Sequence, residues 1–322
     1  MLSKHRHSIY LSLVLFFPLL LSAQPLSKAE DYFNRGVTSL KKGEDEKAAS
    51  DFEKAIELLT DLSGGRHTSI HAVDPNIAII LNNLAIISIH QRDFQSALAR
   101  LNQGLRLNSR KAELWYHRGM AQFGLGDLVK ADLDFTSAIK LAPSDASAWV
   151  GRSQVRFKIK NYLAAYFDVQ KGLQPQARPA VRSDAYNLRG ALFLSLNRLD
   201  EALADFNQSL RLNAENVGAL NNRGATYTRK SEIALARTDF DTALQLDPKN
   251  PIAWFNRGNL LVKEGKLADA LADYDQSIRL QPSAETYLNR GLVYWKLGFH
   301  QESEQDLIEG EKLAAERAVG YQ

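Results

Sequence analysis

The chain has 322 residues, with 40 Lys and Arg against 37 Asp and Glu, a formal net charge of +3 and no cysteine. So even a balance builds no strong basic field, which argues against nucleic acid as a partner. The missing thiols exclude a disulfide framework and acylation of an N-terminal cysteine, so stability has to come from buried apolar surface.

Residues 1–23 stand apart. Lys4 and Arg6 make a basic start, Ile9 to Leu21 is an almost unbroken apolar run, and Ser22-Ala23 follow. This layout predicts a secretory signal peptide cut near Ala23-Gln24, although Leu21 is bulky for the third position before the cut. The competing reading is an uncleaved anchor. Against it stand Pro18 within the run and a run shorter than the ~20 residues of a spanning helix. Cleavage would remove two basic residues and no acidic one, lowering the charge from +3 to about +1.

Beyond the leader an Arg-Gly pair recurs: Arg35-Gly36, Arg118-Gly119, Arg189-Gly190, Arg223-Gly224, Arg257-Gly258 and Arg290-Gly291, with Arg152-Ser153 on the missing beat. Gly190, Gly224, Gly258 and Gly291 lie 34, 34 and 33 residues apart. Such a period marks a stack of like supersecondary units, not one globular core. Aligned on the glycine, the units are 29–62, 78–111, 112–145, 146–179, 183–216, 217–250, 251–283 and 284–317. The first unit lies in segment 24–62. Segment 63–77 is an insert that opens on Ser63-Gly64-Gly65 and ends shortly after Asp74-Pro75, a cap and first position for the next helix. Units two to four fill 78–179. A shorter insert, 180–182, lies beside Pro175 and Pro179 and predicts a bend or looser joint before units five to eight at 183–317. Residues 318–322 are a tail.

Within a unit, position 4 is large (Trp115, Trp149, Tyr186, Leu220, Trp254, Tyr287), position 8 is mostly Gly, position 20 is small and position 24 is mostly aromatic (Phe52, Phe135, Phe206, Phe240, Tyr274). Apolar positions 4, 8, 11 and then 20, 24, 27 have helical spacing in two runs. Turn signals such as Gly126-Asp127, Asn197-Arg198 and Gly265-Lys266 separate them. Each unit therefore reads as two antiparallel helices, with small residues at 8 and 20 admitting close approach. Pro143, Pro248 and Pro282 at position 32 end the second helix.

Position 7 is Arg in seven units (Arg35, Arg118, Arg152, Arg189, Arg223, Arg257, Arg290), and position 23 is Asp in the same seven (Asp51, Asp134, Asp168, Asp205, Asp239, Asp273, Asp306). The second unit has Leu84 and Arg100 there, losing both partners together. This co-occurrence predicts structural Arg–Asp pairs bridging two helices, within a repeat or to its neighbour. The sharper alternative is a ladder of arginines for anionic ligands, but an arginine already forked onto a carboxylate makes a poor free ligand. The last unit's second helix carries Glu302, Glu304, Asp306, Glu309 and Glu311, a polar face able to close a stack; a charged docking face is the alternative.

Chemistry-bearing motifs are few. His67 and His71 have i, i+4 spacing but lie in the first insert, without an adjacent Glu or a third ligand, so no metal site is read there. No phosphate loop, nucleophile elbow or dinucleotide fingerprint occurs in a strand–helix context. We therefore read no catalytic residues, metal or cofactor, and no enzyme.

The pattern resembles the tetratricopeptide repeat (TPR) family over nearly all of the chain after the leader. The resemblance implies an all-α, right-handed superhelical α-solenoid of about eight helix-turn-helix units. It also implies a concave groove lined by positions 2, 5, 6, 9, 12 and 13 of the first helices. Here those positions supply Asn221, Asn222, Arg229, Phe255, Asn256, Asn259, Lys263, Asn289, Trp295 and Lys296. Amides both donate to and accept from a peptide backbone, and aromatic rings cover apolar side chains. The competing reading gives the asparagines local backbone or solvent to bond. Some relatives clamp a C-terminal carboxylate. Asn259 and Asn289 match two of the clamp's residues, but Phe255 replaces its Lys and no third repeat follows. The clamp's usual chaperone partners are cytoplasmic, which the leader argues against. The expectation is a non-enzymatic scaffold of a bacterial envelope, periplasmic or extracellular and soluble once cleaved. It would bind an extended peptide or partner helix and touch a membrane only through an uncleaved leader. The alternatives are a structural subunit contacting partners through its ends, and a peptidoglycan-associated factor.

Overall fold

The computed structural model describes residues 24–62 and 75–319, with the side chains of 28–61 and 76–316. The predicted signal peptide, most of the first insert with His67 and His71, and residues 320–322 of the tail lie outside the described residues.

The described residues form sixteen α-helices: α1 (Gln24–Lys42), α2 (Asp45–Leu62), α3 (Pro75–His90), α4 (Phe94–Leu107), α5 (Ala112–Leu125), α6 (Leu128–Leu141), α7 (Ala146–Lys158), α8 (Tyr162–Gly172), α9 (Pro179–Ser195), α10 (Leu199–Leu212), α11 (Val217–Arg229), α12 (Ile233–Leu246), α13 (Pro251–Lys263), α14 (Leu267–Leu280), α15 (Ala284–Leu297) and α16 (His300–Val319). None of these is long and apolar enough to cross a membrane. They divide into two compact units, one ending at Val181 and the other beginning at Arg182. That boundary falls within the short insert at 180–182, which forms part of the first turn of α9, a helix starting at Pro179. Proline is accommodated there because the first helical N–H has no intrahelical partner to lose.

Both units are built of helical hairpins. Each odd helix packs on the even helix after it, and within each unit successive hairpins pack on one another. In the N-terminal unit α5 also touches α3 and α7, and in the C-terminal unit α13 touches α11 and α15. No comparable contact links successive even helices among the described residues, so the odd helices form the inner row. The turn inside each hairpin needs one left-handed residue. It is Gly43, Gly126, Gly265 or Gly298 in four hairpins, and Arg92, Lys160, Asn197 or Ser231 in the others. Side-chain caps then start many of the helices, with Asp127 accepting from the Lys130 N–H and Asn250 from the Ala253 N–H.

The close approach inside a hairpin is set by glycine at position 8. A Cβ on Gly258 would come within 2.7 Å of the Tyr274 ring, and one on Gly190 or Gly224 within 2.6 or 2.7 Å of Phe206 or Phe240. The two units without this glycine also lack the aromatic. Ala85 goes with Leu101, and Ser153 with Val169, so bulk removed from one helix is restored on the other. The position-24 rings are fully buried. Phe135 also presses on Gly151 of the following repeat, at 2.6 Å from a notional Cβ there. Position 4 closes the seam between repeats: the indoles of Trp115, Trp149 and Trp254 donate to the backbone oxygens of Ser109, Pro143 and Pro248 at 2.8–3.0 Å.

The seven arginines of position 7 all fork onto the aspartate of their own hairpin, Nε to one carboxylate oxygen and Nη2 to the other. For Arg257 and Asp273 the distances are 2.8 and 2.9 Å. The third nitrogen reaches back one repeat: Arg118 to Asn102, Arg152 to Thr136, Arg223 to Asn207, Arg257 to Asp241 and Arg290 to Asp275. An aromatic at position 4 lies beneath the guanidinium in most units, with Arg118 4.6 Å from the Trp115 centroid and Arg257 4.7 Å from that of Trp254. The bond to Asp273 holds Arg257 above the ordinary arginine range, and burial opposes it only in part. In the second unit Arg100 approaches from the other helix instead and donates to the Leu84 carbonyl and the Ser88 hydroxyl.

Two outcomes follow for stability. Gly258→Ala should lower stability by about 1–3 kcal/mol, because the new methyl overlaps a fully buried ring. In a Tyr274→Leu background the same change should cost much less; additive losses in urea unfolding would disprove the contact. Asp273→Asn should cost about 2–4 kcal/mol, since the buried carboxylate leaves a half-buried cation behind. Asp241→Asn, at an exposed carboxylate, should stay within about 1 kcal/mol by the same measurement.

Candidate functional site

The inner row of the C-terminal unit carries the ten residues expected to line a groove, on α11, α13 and α15. Their positions repeat from helix to helix, so like side chains stack in rows one repeat apart. The structure uses most of the polar rows to join neighbouring repeats. Asn222 donates through Nδ2 to Asn187 Oδ1 of the preceding repeat at 2.9 Å. Asn289 donates likewise to Asn259 Oδ1 at 2.8 Å. The same Oδ1 accepts from the Tyr274 hydroxyl at 2.7 Å, tying the amide row to the packed ring beneath Gly258. Burial pushes the Tyr274 phenol well above its usual range, so it remains a donor.

Position 13 behaves in the same way. Arg229 donates to the Leu194 carbonyl at 3.1 Å and Lys263 to the Thr228 carbonyl at 2.8 Å, each a repeat upstream at position 12. A basic residue placed there satisfies the last carbonyls of the neighbouring inner helix, where helix dipoles favour a cation. Both side chains thus bond the neighbouring repeat while remaining exposed.

Asn221 departs from the expectation of a groove contact. It is buried, and its Oδ1 has no hydrogen-bond partner among the described residues. Phe255 is half-buried with its ring 6.1 Å from that of Tyr274 and packs on the cluster of Leu261, Tyr274 and Val293. Asn256 is half-buried, whereas Trp295 and Lys296 are exposed, Trp295 to 60%. Trp295 meets His300 edge-on at 4.5 Å, and Leu292 one turn before it is also exposed. The accessible part of the site is therefore an aromatic and amide surface over Asn256, Leu292, Trp295 and Lys296, backed by a fixed Asn259–Asn289 pair. The two asparagines that matched a carboxylate clamp bond to each other.

Sequence reasoning missed the partners. Asn187, the Tyr274 hydroxyl and the position-12 carbonyls of Leu194 and Thr228 complete the rows, yet nothing in a single repeat marks them. The signal was available only across repeats, as polar residues at positions 6 and 13 following polar or carbonyl acceptors one unit earlier. The acidic helix α16 presents Glu302, Glu304, Glu311 and Glu316 to solvent, but Ile308 is exposed among them, so this end is less polar than expected. Among the described residues no cluster of three His, Asp or Glu has the placement to hold a metal ion.

Comparison with known proteins agrees with this geometry. Models of the tetratricopeptide repeat match residues 29–58, 83–132, 183–216, 226–265, 258–298 and 284–317, together well over half of the chain. Tetratricopeptide repeat protein 16 of Mus musculus is 26% identical over 117 residues, 36% of this chain and 15% of that protein. Heat shock protein STI1 of Saccharomyces cerevisiae is 30% identical over 107 residues, 33% of this chain and 17% of that protein. The chain thus spans only a small part of the curated relatives it matches. Among solved structures, a tetratricopeptide repeat protein from Parabacteroides merdae superposes with a TM-score of 0.58 at 16% identity, covering 86% of this chain and 99% of that one. The Cut9–Hcn1 assembly of the APC/C gives 0.59 at 14% identity, covering 89% and 74%. Six matched stretches of one repeat, lying on hairpins that pack in the same way, place the chain in the tetratricopeptide repeat family.

Proposed function

We propose that the chain is a non-enzymatic protein-interaction scaffold, and that the inner helices of its C-terminal unit hold an extended peptide or a partner helix. The observation that carries this reading is the fixed polar row. Asn289 bonds Asn259 of the preceding repeat, and Arg229 and Lys263 each bond a backbone carbonyl one repeat upstream. Beside them Asn256, Trp295 and Lys296 remain accessible. A surface already ordered loses little conformational freedom on binding, so the ligand carries most of the ordering cost. Exposed indole and half-buried amides suit a peptide, offering apolar cover and paired donors and acceptors. The fold itself is generally a scaffold and not an enzyme.

The signal-like segment at residues 1–23 supports a place in a bacterial cell envelope, periplasmic or outside the cell, with the repeats soluble after cleavage. STI1 is named as a heat shock protein; we do not extend that role to this chain.

Because Asn259 also anchors Tyr274, its replacement would disturb packing, and Asn256 with Trp295 makes the cleaner test. Lysine-directed crosslinking of the protein in envelope extract should link Lys263 and Lys296 to a bound peptide. The Asn256→Ala/Trp295→Ala variant should lose about tenfold of that product with its thermal melt unchanged. Equal recovery by variant and wild type would remove the inner-face reading. Crosslinks arising only from the end helices would favour a structural subunit of a larger assembly.

A further inference from the structure

Large apolar residues are also exposed where a helical repeat normally shows polar ones. Positions 18 and 22 lie one turn apart on the solvent side of each even helix. In six repeats they hold Glu46 and Ser50, Gln95 and Ala99, Asp200 and Ala204, Ala234 and Thr238, Ala268 and Ala272, and Gln301 and Gln305. In the third and fourth repeats they hold Val129 and Leu133 on α6, and Leu163 and Phe167 on α8. These four side chains are 73, 61, 69 and 63% exposed. Val, Leu and Phe left in water at equivalent positions of two successive repeats form one in-register apolar stripe, unlike single exposed apolar residues, which are ordinary.

The two helices are held side by side from below. Arg152 of α7 bonds Thr136 of α6 and Asp168 of α8, and Arg156 pairs with Asp132 and Asp168. Arg152 and Arg156 thus tie α6 and α8 together through α7, and each helix carries one i, i+4 pair of apolar anchors, the spacing at which an amphipathic helix lays its apolar side.

The charge around the stripe has one sign. The carboxylates of α6 and α8 are Asp132, Asp134 and Asp168, and all three are taken by Arg156, Arg118 and Arg152. Asp127 at the start of α6 is paired with Lys130 at 2.6 Å. On the same helical side as the stripe, Lys140 follows Leu133 by two turns and Lys171 follows Phe167 by one, both exposed; Lys160 is exposed just before α8. The edge thus presents exposed lysines, Lys171 also lying 5.9 Å from the Trp149 ring, while its carboxylates are each paired with a base. A second copy meeting stripe to stripe would bring these lysines together, which disfavours self-association. From this we infer a second docking surface, on the outer side of α6 and α8, that takes an amphipathic partner helix with apolar residues at i, i+4 spacing and an acidic border. It is independent of the inner-face reading, since none of its residues lies on α11, α13 or α15.

The probe is a labelled synthetic amphipathic peptide of about 18 residues with Leu along one face and Glu on its borders, beside a twin with Lys in place of Glu. Fluorescence anisotropy with the full chain should show the Glu-bordered peptide binding at least about tenfold more tightly than its twin. Leu133→Ser/Phe167→Ser should weaken that binding about tenfold while the helical melt stays in place, because both side chains are already in water. Lys140→Glu/Lys171→Glu should reverse the preference between the peptides. The inference is overturned by no binding of the Glu-bordered peptide, by equal binding of both peptides, or by an unaffected Leu133→Ser/Phe167→Ser variant. Flotation with phosphatidylserine vesicles that those substitutions abolish, without peptide binding, would assign the face to a membrane instead. Self-association lost in the same variant would assign it to a second copy.

Discussion

An arginine at position 7 carries three contacts at once, and the array is organised around them. Its fork closes the hairpin on an aspartate sixteen residues later, its remaining nitrogen reaches the previous hairpin, and an aromatic ring supports its plane. Only a planar guanidinium with five fixed donors meets that geometry; a lysine would make one of these contacts and drop the others. The next residue is the glycine on which the position-24 ring lies. The fork and the close approach are therefore adjacent in the chain and mutually dependent. The carboxylate is within reach because the helices are close, and the helices stay in register because the carboxylate is held.

The exceptions show the same logic. Where Ser153 takes the glycine's place its hydroxyl donates to the Ala165 carbonyl, and Val169 replaces the ring that would have met it. In the second unit, with neither Arg nor Gly at these positions, Arg100 supplies the guanidinium from the opposite helix and Leu101 fills the smaller gap. Helix-to-helix contact thus tolerates several residue pairs, provided volume and charge are conserved across the seam. This also argues against the arginines as ligand sites: each is forked onto its own aspartate, and five of the seven also reach the previous repeat.

Function then rests on what the ladder leaves over. On the inner helices the polar rows at positions 6, 9 and 13 are partly spent in joining repeats, so in the proposed groove they would supply order, and direct contact would fall to the residues beside them. On the outer helices α6 and α8 the opposite holds, because Val129, Leu133, Leu163 and Phe167 remain largely exposed among the described residues. Two surfaces of different chemistry, one amide and aromatic and one apolar with a lysine edge, suit a molecule that holds more than one companion.

Repeat period, helix pairing, the Arg–Asp fork and the small residues at the hairpin seam were all legible in the sequence. They recur in register, and a recurring position reports its environment many times over. The candidate groove was legible only as a set of positions. Asn221 is buried and Asn222 and Asn289 face the preceding repeat, because the rotation between successive hairpins decides which side of an inner helix meets solvent, and no single repeat encodes that rotation. The short insert at 180–182 is legible as a break in the period; that the same residues open helix α9 is not, since it depends on proline at a helix start costing no hydrogen bond. Local periodicity sets what each hairpin is; the stacking of one hairpin on the next decides which of its side chains remain for anything else to touch.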